Sequence, residues 1–361
     1  MCMKMIYKGM RGFLYHIDFF FLYIDGLFHG IWEKLDDIKD PLLKEKAATL
    51  PILIESAYAN STLNKYKSAW EKWIKWCSQY LETLSSPVDP FYIAIYFNDI
   101  VTSGGTKGAL ESAYLGIRWG HLNCGLATPT DNSFVKLALE GGKRIIARRN
   151  GRSGGQKLPL ESPIIKEIFA LYGNTTNLID YRFVLMCILG FTGFFRISEL
   201  LNLKVKDITF ESQGMKIFVE KSKCDQLREG HIVHIAMLNS NLCPVACLKK
   251  YLSISRLDEQ SQSFVICRLA KTKSGHNAIG KYPISYSTAR ESFKKHLAKI
   301  INPTNYSTHS LRSGGATEAA NNGTSDRLLS KHGRWKSDLS RNRYIKENAK
   351  ARFEITKKLG I

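Results

Sequence analysis

The stretch "THSLRSGGAT" (Thr308 to Thr317) sets a histidine three residues before an arginine, followed by small residues. That spacing puts His309 and Arg312 on one face of a helix expected over 309–321. Taken alone, a His beside an Arg is more often a satisfied polar pair than a reacting one. Its neighbours in the chain give it weight. Downstream, "SKHGRWKSDLSRNRYI" (Ser330 to Ile345) places Trp335 nine residues before Tyr344, amid Lys, Arg, Ser and Asn. Upstream, "TGFFRISELLNL" (Thr192 to Leu203) carries Arg196 and Glu199, three apart on an expected helix. Between them, "EKSKCDQLREGHI" (Glu220 to Ile232) offers Lys221 and Lys223 on an expected β-turn. Each is weak singly: an Arg–Glu pair at this spacing is commonly a surface salt bridge, and turn lysines are commonly just solvated.

Composition narrows the partner. Lys and Arg number 52 against 32 Asp and Glu, a net charge of +20 over 361 residues. A surplus of that size points to a polyanionic partner, most often nucleic acid, while composition alone leaves a plain basic surface without a ligand equally open. Hydrophobic residues make up 44% of the chain, which excludes a disordered protein, and the length favours two domains. None of the eight cysteines forms a CxxC pair, so no metal site is expected and a reducing compartment fits. Cys243 and Cys247, either side of Pro244 at an expected helix start, should pack inward.

Residues 1–50 read as an N-terminal extension. Gly12 to Trp32 is strongly apolar, yet Asp18 and Asp25 interrupt it, and each would cost about 2.5–3.5 kcal/mol at the centre of a span. No membrane partner is expected. Residues 51–149 show helical periodicity in four runs, the first with Tyr66, Trp70, Trp73, Ile74 and Cys77 on one face behind a Ser/Thr cap. The segment 150–159 reads as a flexible basic linker. Lys143, Arg144, Arg148, Arg149 and Arg152 in and before it are either a solvated strap or DNA contacts. From 160 to 361 the signals mix. Helices are expected over Pro163–Gly173 and through Asp180–Leu203, then at 243–256, 285–300, 309–321, 325–332 and 338–347. Strands are expected at 204–210, 215–221 and 230–237. The predicted fold class is mainly α with a small antiparallel sheet.

In this order the motifs resemble the tyrosine recombinase (phage integrase) superfamily, whose pattern is Arg, Lys, His-x-x-Arg, His or Trp, then Tyr. The wording of "THSLRSGGAT" and "KHGRWKSD" is similar to eukaryotic mobile-element recombinases of the Crypton and DIRS-like kind. The resemblance implies a SAM-like helical core-binding domain over 51–149 and a mixed α/β catalytic domain over 160–361. It also implies a site-specific recombinase or integrase that cleaves and rejoins double-stranded DNA through a 3′-phosphotyrosine. Such an enzyme uses no cofactor and works as a homotetramer on paired sites. The implied catalytic residues are Arg196, Lys223, His309, Arg312, Trp335 and Tyr344, with Glu199 in support. His332 lies twelve residues before Tyr344, so the nine-residue step gives the role to Trp335. Lys223 is preferred to Lys221 as proton donor to the leaving oxygen. A eukaryotic mobile element implies the nucleus; otherwise the cytoplasm or nucleoid is expected. Two departures stand out: Ser313 where many members carry a second His, and Phe195 where a smaller aliphatic residue is common.

The chemistry explains the residue types. Attack on a phosphodiester adds negative charge to the non-bridging oxygens, which planar guanidinium forks grip in pairs. An indole N–H can add one bond but moves no proton, whereas His309 can do both. A phenol with a reference pKa of about 10 needs that cationic setting to attack. Two alternatives share the residues: a domesticated DNA-binding protein without turnover, and a type IB topoisomerase-like activity.

Overall fold

Trp32 and Cys124 tie the start of the described chain to its helices: the Trp32 indole N–H donates to the Asn123 carbonyl at 2.7 Å, and Ile31 N–H to Cys124 at 2.8 Å. The computed structural model describes residues 30–80, 88–151, 157–220, 230–258, 261–273, 275–346, 352–353 and 356–360. The chain divides into two compact units, Met1–Gly155 and Gln156–Ile361. From residue 30 onward, the segment expected as an appended extension is thus pinned to the helical unit; most of the apolar N-terminal stretch lies outside the described residues. No helix among the described residues is long and apolar enough to cross a membrane.

The first unit is all helical. After α1 (Lys34–Asp37), α2 (Pro41–Ala48) and α3 (Leu50–Glu55) come four longer helices, α4 (Asn60–Cys77), α5 (Pro90–Thr102), α6 (Lys107–Asn123) and α7 (Ser133–Asn150). Trp70, Trp73, Trp76 and Cys77 form the buried stripe of α4, with Tyr66 and Ile74 at its margin. Gly116 and Gly120 let α6 press on it: a Cβ at Gly120 would lie 2.3 Å from the Trp70 ring. The expected Ser/Thr cap is absent, since α4 begins at Asn60 behind Ala59 and no side chain caps it. Side-chain caps appear instead at Asp89, Thr106 and Asn132, each accepting from the first turn of the following helix.

The second unit is built on α9 (Leu178–Thr192), buried continuously from Tyr181 to Gly190. A helix without a polar face must be wrapped on all sides. Around it lie α8 (Ser162–Tyr172), α10 (Ile197–Asn202), α11 (Pro244–Ser255), α12 (Tyr286–Leu297) and α13 (His309–Asn321), followed by α14 (Asp326–Gly333) and α15 (Asp338–Asn342). Strands β1 (Ile208–Glu211), β2 (Gly214–Val219) and β3 (His231–Ala236) form an antiparallel sheet in that order, with Ile208 opposite Ile217 and Val219 opposite His231. Cys243 and Cys247 are buried at the head of α11.

Three sequence expectations need correction. The single helix expected through Asp180–Leu203 is two, α9 and α10, because Gly193 caps the first and Phe194 takes a left-handed φ of 47°. The strand expected at 204–210 starts only at Ile208; Val205–Asp207 form a 3-10 turn closed by the Asp207 carboxylate on the Lys204 N–H. A hairpin was not anticipated at all: β4 (Cys267–Thr272) pairs antiparallel with β5 (Gly275–Pro283). Apart from buried Cys267 its residues are exposed or half-buried, and Arg, Lys, Thr, His, Asn and Gly interrupt the apolar ones, so they carry no apolar alternation from which a strand could be read.

Candidate active site

The break between α9 and α10 builds one wall of the site. Arg196 sits in extended backbone just before α10 rather than within a helix, and its N–H donates to Glu199 Oε2 at 2.8 Å. Its guanidinium donates to Glu199 Oε1 at 2.7 Å. One carboxylate therefore closes the head of α10 and aims the Arg196 side chain. The left-handed turn at Phe194 presents its carbonyl inward, where Arg312 Nη1 and Arg334 Nη2 both donate to it.

The helix α13 supplies the second wall. Gly314 and Gly315 allow it to lie against other backbone, since a Cβ at Gly314 would sit 1.9 Å from the Leu160 carbonyl oxygen. Arg312 is fully buried and its Nη2 donates to the Gly333 carbonyl. Its guanidinium lies 4.6 Å from the Trp335 ring and 4.9 Å from the Tyr344 ring, and those rings are 5.5 Å apart. Burial first, then the charges of Arg196 and Arg334, lowers the Arg312 pKa. An arginine starts high enough to stay charged at neutral pH regardless.

The third wall is the turn after α14. Gly333 is needed there because Trp335 folds back onto it: a Cβ would meet the indole at 2.1 Å. Trp335 is buried, and neither its Nε1 nor Arg312 Nε has a hydrogen-bond partner among the described residues. Trp73 and Trp119 also carry open indole donors in the helical unit; here the two open donors lie beside Arg196 and Arg312, where an anionic acceptor can take them. Tyr344 is half-buried and follows α15 rather than lying in a helix, correcting the expected helix to 347. Its carbonyl accepts from Ser313 Oγ at 2.5 Å and Thr317 Oγ1 at 3.2 Å. Ser313, noted in the sequence only as a departure, thus holds the backbone of the tyrosine.

Arg196, Glu199, Arg312, Trp335 and Tyr344 are brought together. His309 stands exposed at the start of α13, one turn ahead of Arg312. His332 is occupied elsewhere: its Nε2–H donates to the Thr192 carbonyl at 2.8 Å, and burial lowers its pKa. Lys221 and Lys223 lie outside the described residues. At the start of β3, burial and the charge of Arg334 lower the His231 pKa.

Arg334 was missed in the sequence. It is buried and donates to Glu199 Oε2 at 2.8 Å. Three guanidiniums, Arg196, Arg312 and Arg334, hence lie within 4.0 Å of one carboxylate, Glu199. Three positive charges against one negative leave these four side chains at +2. Burial pushes the Glu199 pKa up, but Arg334, Arg196 and Arg312 outweigh it and hold the carboxyl below its ordinary value. Such a cluster is poised for an anion.

Among the basic residues of the first unit, Lys143 is paired with Glu140 at 2.7 Å and Glu111 at 3.6 Å. Arg149 donates to the Val101 and Gly105 carbonyls at 2.8 and 2.5 Å. Arg144 and Arg148 are exposed, and Arg152 lies outside the described residues. No cluster of His, Cys, Asp or Glu among the described residues could hold a metal ion.

Known proteins resemble this chain along most of its length. An integrase/recombinase XerD homolog of Selenomonas ruminantium is 28% identical over 304 residues, covering 81% of this chain and 84% of its own. The Cre recombinase of Escherichia phage P1 is 21% identical over 296 residues, covering 77% and 82%. Among solved structures, XerH bound to palindromic difH substrate in a post-cleavage complex superposes with a TM-score of 0.55 at 15% identity, covering 83% of this chain and 80% of that one. The Tn1549 transposon integrase with circular intermediate DNA gives 0.51 at 13%, covering 79% and 91%. The phage integrase family profile matches residues 164–351, more than half the chain and all the catalytic candidates, so the chain belongs to the phage integrase family of tyrosine recombinases.

Proposed function

We propose that this protein is a site-specific recombinase that cuts and reseals double-stranded DNA with Tyr344 as nucleophile. The observation that carries the reading is the buried cluster of three guanidiniums on one carboxylate, with a partnerless indole N–H and a tyrosine at its edge. The phenol oxygen attacks phosphorus, the bond to the 5′ oxygen breaks, and DNA is left joined to Tyr344 through its 3′ phosphate. The phenol proton passes to His309, and Lys223 returns a proton to the departing 5′ oxygen. Attack by a new 5′ hydroxyl reverses these steps, so the phosphoester energy is retained and no nucleotide is consumed.

Arg196 and Arg312 neutralise the growing charge. The carbonyls of Phe194 and Gly333 occupy two of the five N–H donors of Arg312, leaving three. Preorganised donors of this kind lower a barrier by about 3–4 kcal/mol each. The helical unit, with Arg144 and Arg148, grips the duplex as a core-binding domain. Four copies act on two paired sites.

Incubation with a pool of random-sequence duplexes bearing a nick tests this reading. Detergent-resistant protein–DNA adducts should accumulate and enrich one sequence class. Duplex binding without any covalent product would show a DNA-binding protein lacking turnover. Binding should also weaken by about a thousandfold or more between 50 and 200 mM salt if six or more phosphates are neutralised.

The Ser313 and Thr317 contacts predict a separate effect. The double variant Ser313→Ala, Thr317→Val should slow adduct formation by about tenfold or more, because misplacing a nucleophile by a fraction of an ångström is costly. Duplex affinity should not change. Single-turnover gels alongside fluorescence anisotropy measure both.

A further inference from the structure

We propose that Arg334 is a positioning residue for strand cleavage: it locks the turn carrying Trp335 to the turn carrying Arg196, with Glu199 as the shared bolt. The proposal rests on the recombinase reading above and deepens it. Arg334 ends α14 with φ 58° and ψ 41°, the left-handed region, where glycine is at ease and a side chain is not. The Arg334 N–H to Lys331 and Trp335 N–H to Ser330 bonds, at 3.2 and 3.0 Å, need only the backbone. A glycine would make the same turn with less strain. The arginine must therefore be held there by what its side chain does.

Both terminal nitrogens of that side chain are engaged, mostly across to the neighbouring turn and α10, while its Nε is buried without a partner among the described residues. Nη2 donates to Glu199 Oε2 at 2.8 Å and to the Phe194 carbonyl at 3.0 Å. Nη1 donates to the His332 and Gly193 carbonyls at 3.0 and 3.3 Å. The guanidinium also lies 5.0 Å from the centre of the Phe195 ring. Gly193 to Phe195 is the segment whose left-handed kink delivers Arg196 to the site, and Trp335 is the residue next to Arg334. One planar group thus joins the two turns that present the phosphate ligands. It also shares the carboxylate with Arg196: Oε1 accepts from the Arg196 guanidinium, and Oε2 accepts from both the Arg196 backbone N–H and Arg334. Without Arg334, Glu199 keeps its two bonds from Arg196 but loses its tie to the Trp335 turn and the strongest of the charges that keep it ionised.

Two variants separate positioning from mere stability. Arg334→Gly keeps the turn and removes the guanidinium; Arg334→Lys restores a charge without the fork. Single-turnover cleavage of a nicked duplex is followed from pH 5 to 8, with duplex affinity and Tm measured in parallel. Arg334→Gly should bind DNA as tightly as the wild type but cleave about tenfold to a hundredfold more slowly at pH 7.5. Beside the acid limb that His309, as proton acceptor, gives both proteins, it should gain a second one that the wild type lacks, as Glu199 takes up a proton. Arg334→Lys should remove that limb and recover part of the rate. Wild-type rates and pH profile in a folded Arg334→Gly overturn the proposal. So does a loss in both variants that follows Tm alone with no change in pH profile. A wild-type chain that never forms an adduct overturns the recombinase reading itself, which the wild-type lane reports independently of either variant.

Discussion

Replacing Tyr344 with Phe is expected to bring covalent attachment to nicked DNA below detection while duplex binding persists. The change removes one oxygen. The ring that packs 4.9 Å from the Arg312 guanidinium and 5.5 Å from Trp335 remains, as do the backbone bonds from Ser313 and Thr317. Folding stability should therefore stay within about 0.5 kcal/mol of the wild type. A loss of activity accompanied by a large drop in Tm would point to a structural role for the phenol. An intact fold with an intact adduct would remove Tyr344 as the nucleophile.

The second large effect is on stability. Glu199 is 6% exposed and is the carboxylate shared by Arg196, Arg312 and Arg334. Glu199→Gln keeps the shape and discards the charge, leaving three buried cations repelling one another. Breaking a buried ion pair from one side typically costs about 3–5 kcal/mol, so the urea midpoint should fall sharply. Bound DNA, or a high concentration of sulfate, should recover part of that loss by taking the place of the carboxylate. The pH dependence has a definite sign. The folded Glu199 pKa lies below its unfolded value, so the carboxylate's contribution is fully present above about pH 4.3. It is lost as pH falls through the depressed folded value. The wild type should show this acid-labile component and Glu199→Gln should lack it.

Much of the site was legible because its residues have few other uses at those spacings. His309 with Arg312, and Trp335 nine before Tyr344, are local patterns, and local patterns survive translation into structure. Arg196 with Glu199 was legible as a pair but not in its geometry. The helix expected across both stops at Thr192, and nothing in a run as apolar as "VLMCILGFTGFF" announces that Phe194 will adopt a positive φ. Arg334 was invisible for the same reason. Among so many basic residues it looked like one more solvated charge, and only the left-handed turn at the end of α14 directs it inward. Ser313 holds the Tyr344 carbonyl across 31 residues of chain, a contact that exists only after α13 and the α15 turn have docked. The β4–β5 hairpin went unread because backbone pairing, not an apolar face, defines it.

The most direct test is to digest the covalent protein–DNA complex and locate the attached phosphate by mass spectrometry. A single modified peptide is expected, with the terminal 3′ phosphate of the DNA esterified to the Tyr344 oxygen. A phosphate found on any other side chain, or an adduct of equal yield from Tyr344→Phe, would contradict the account.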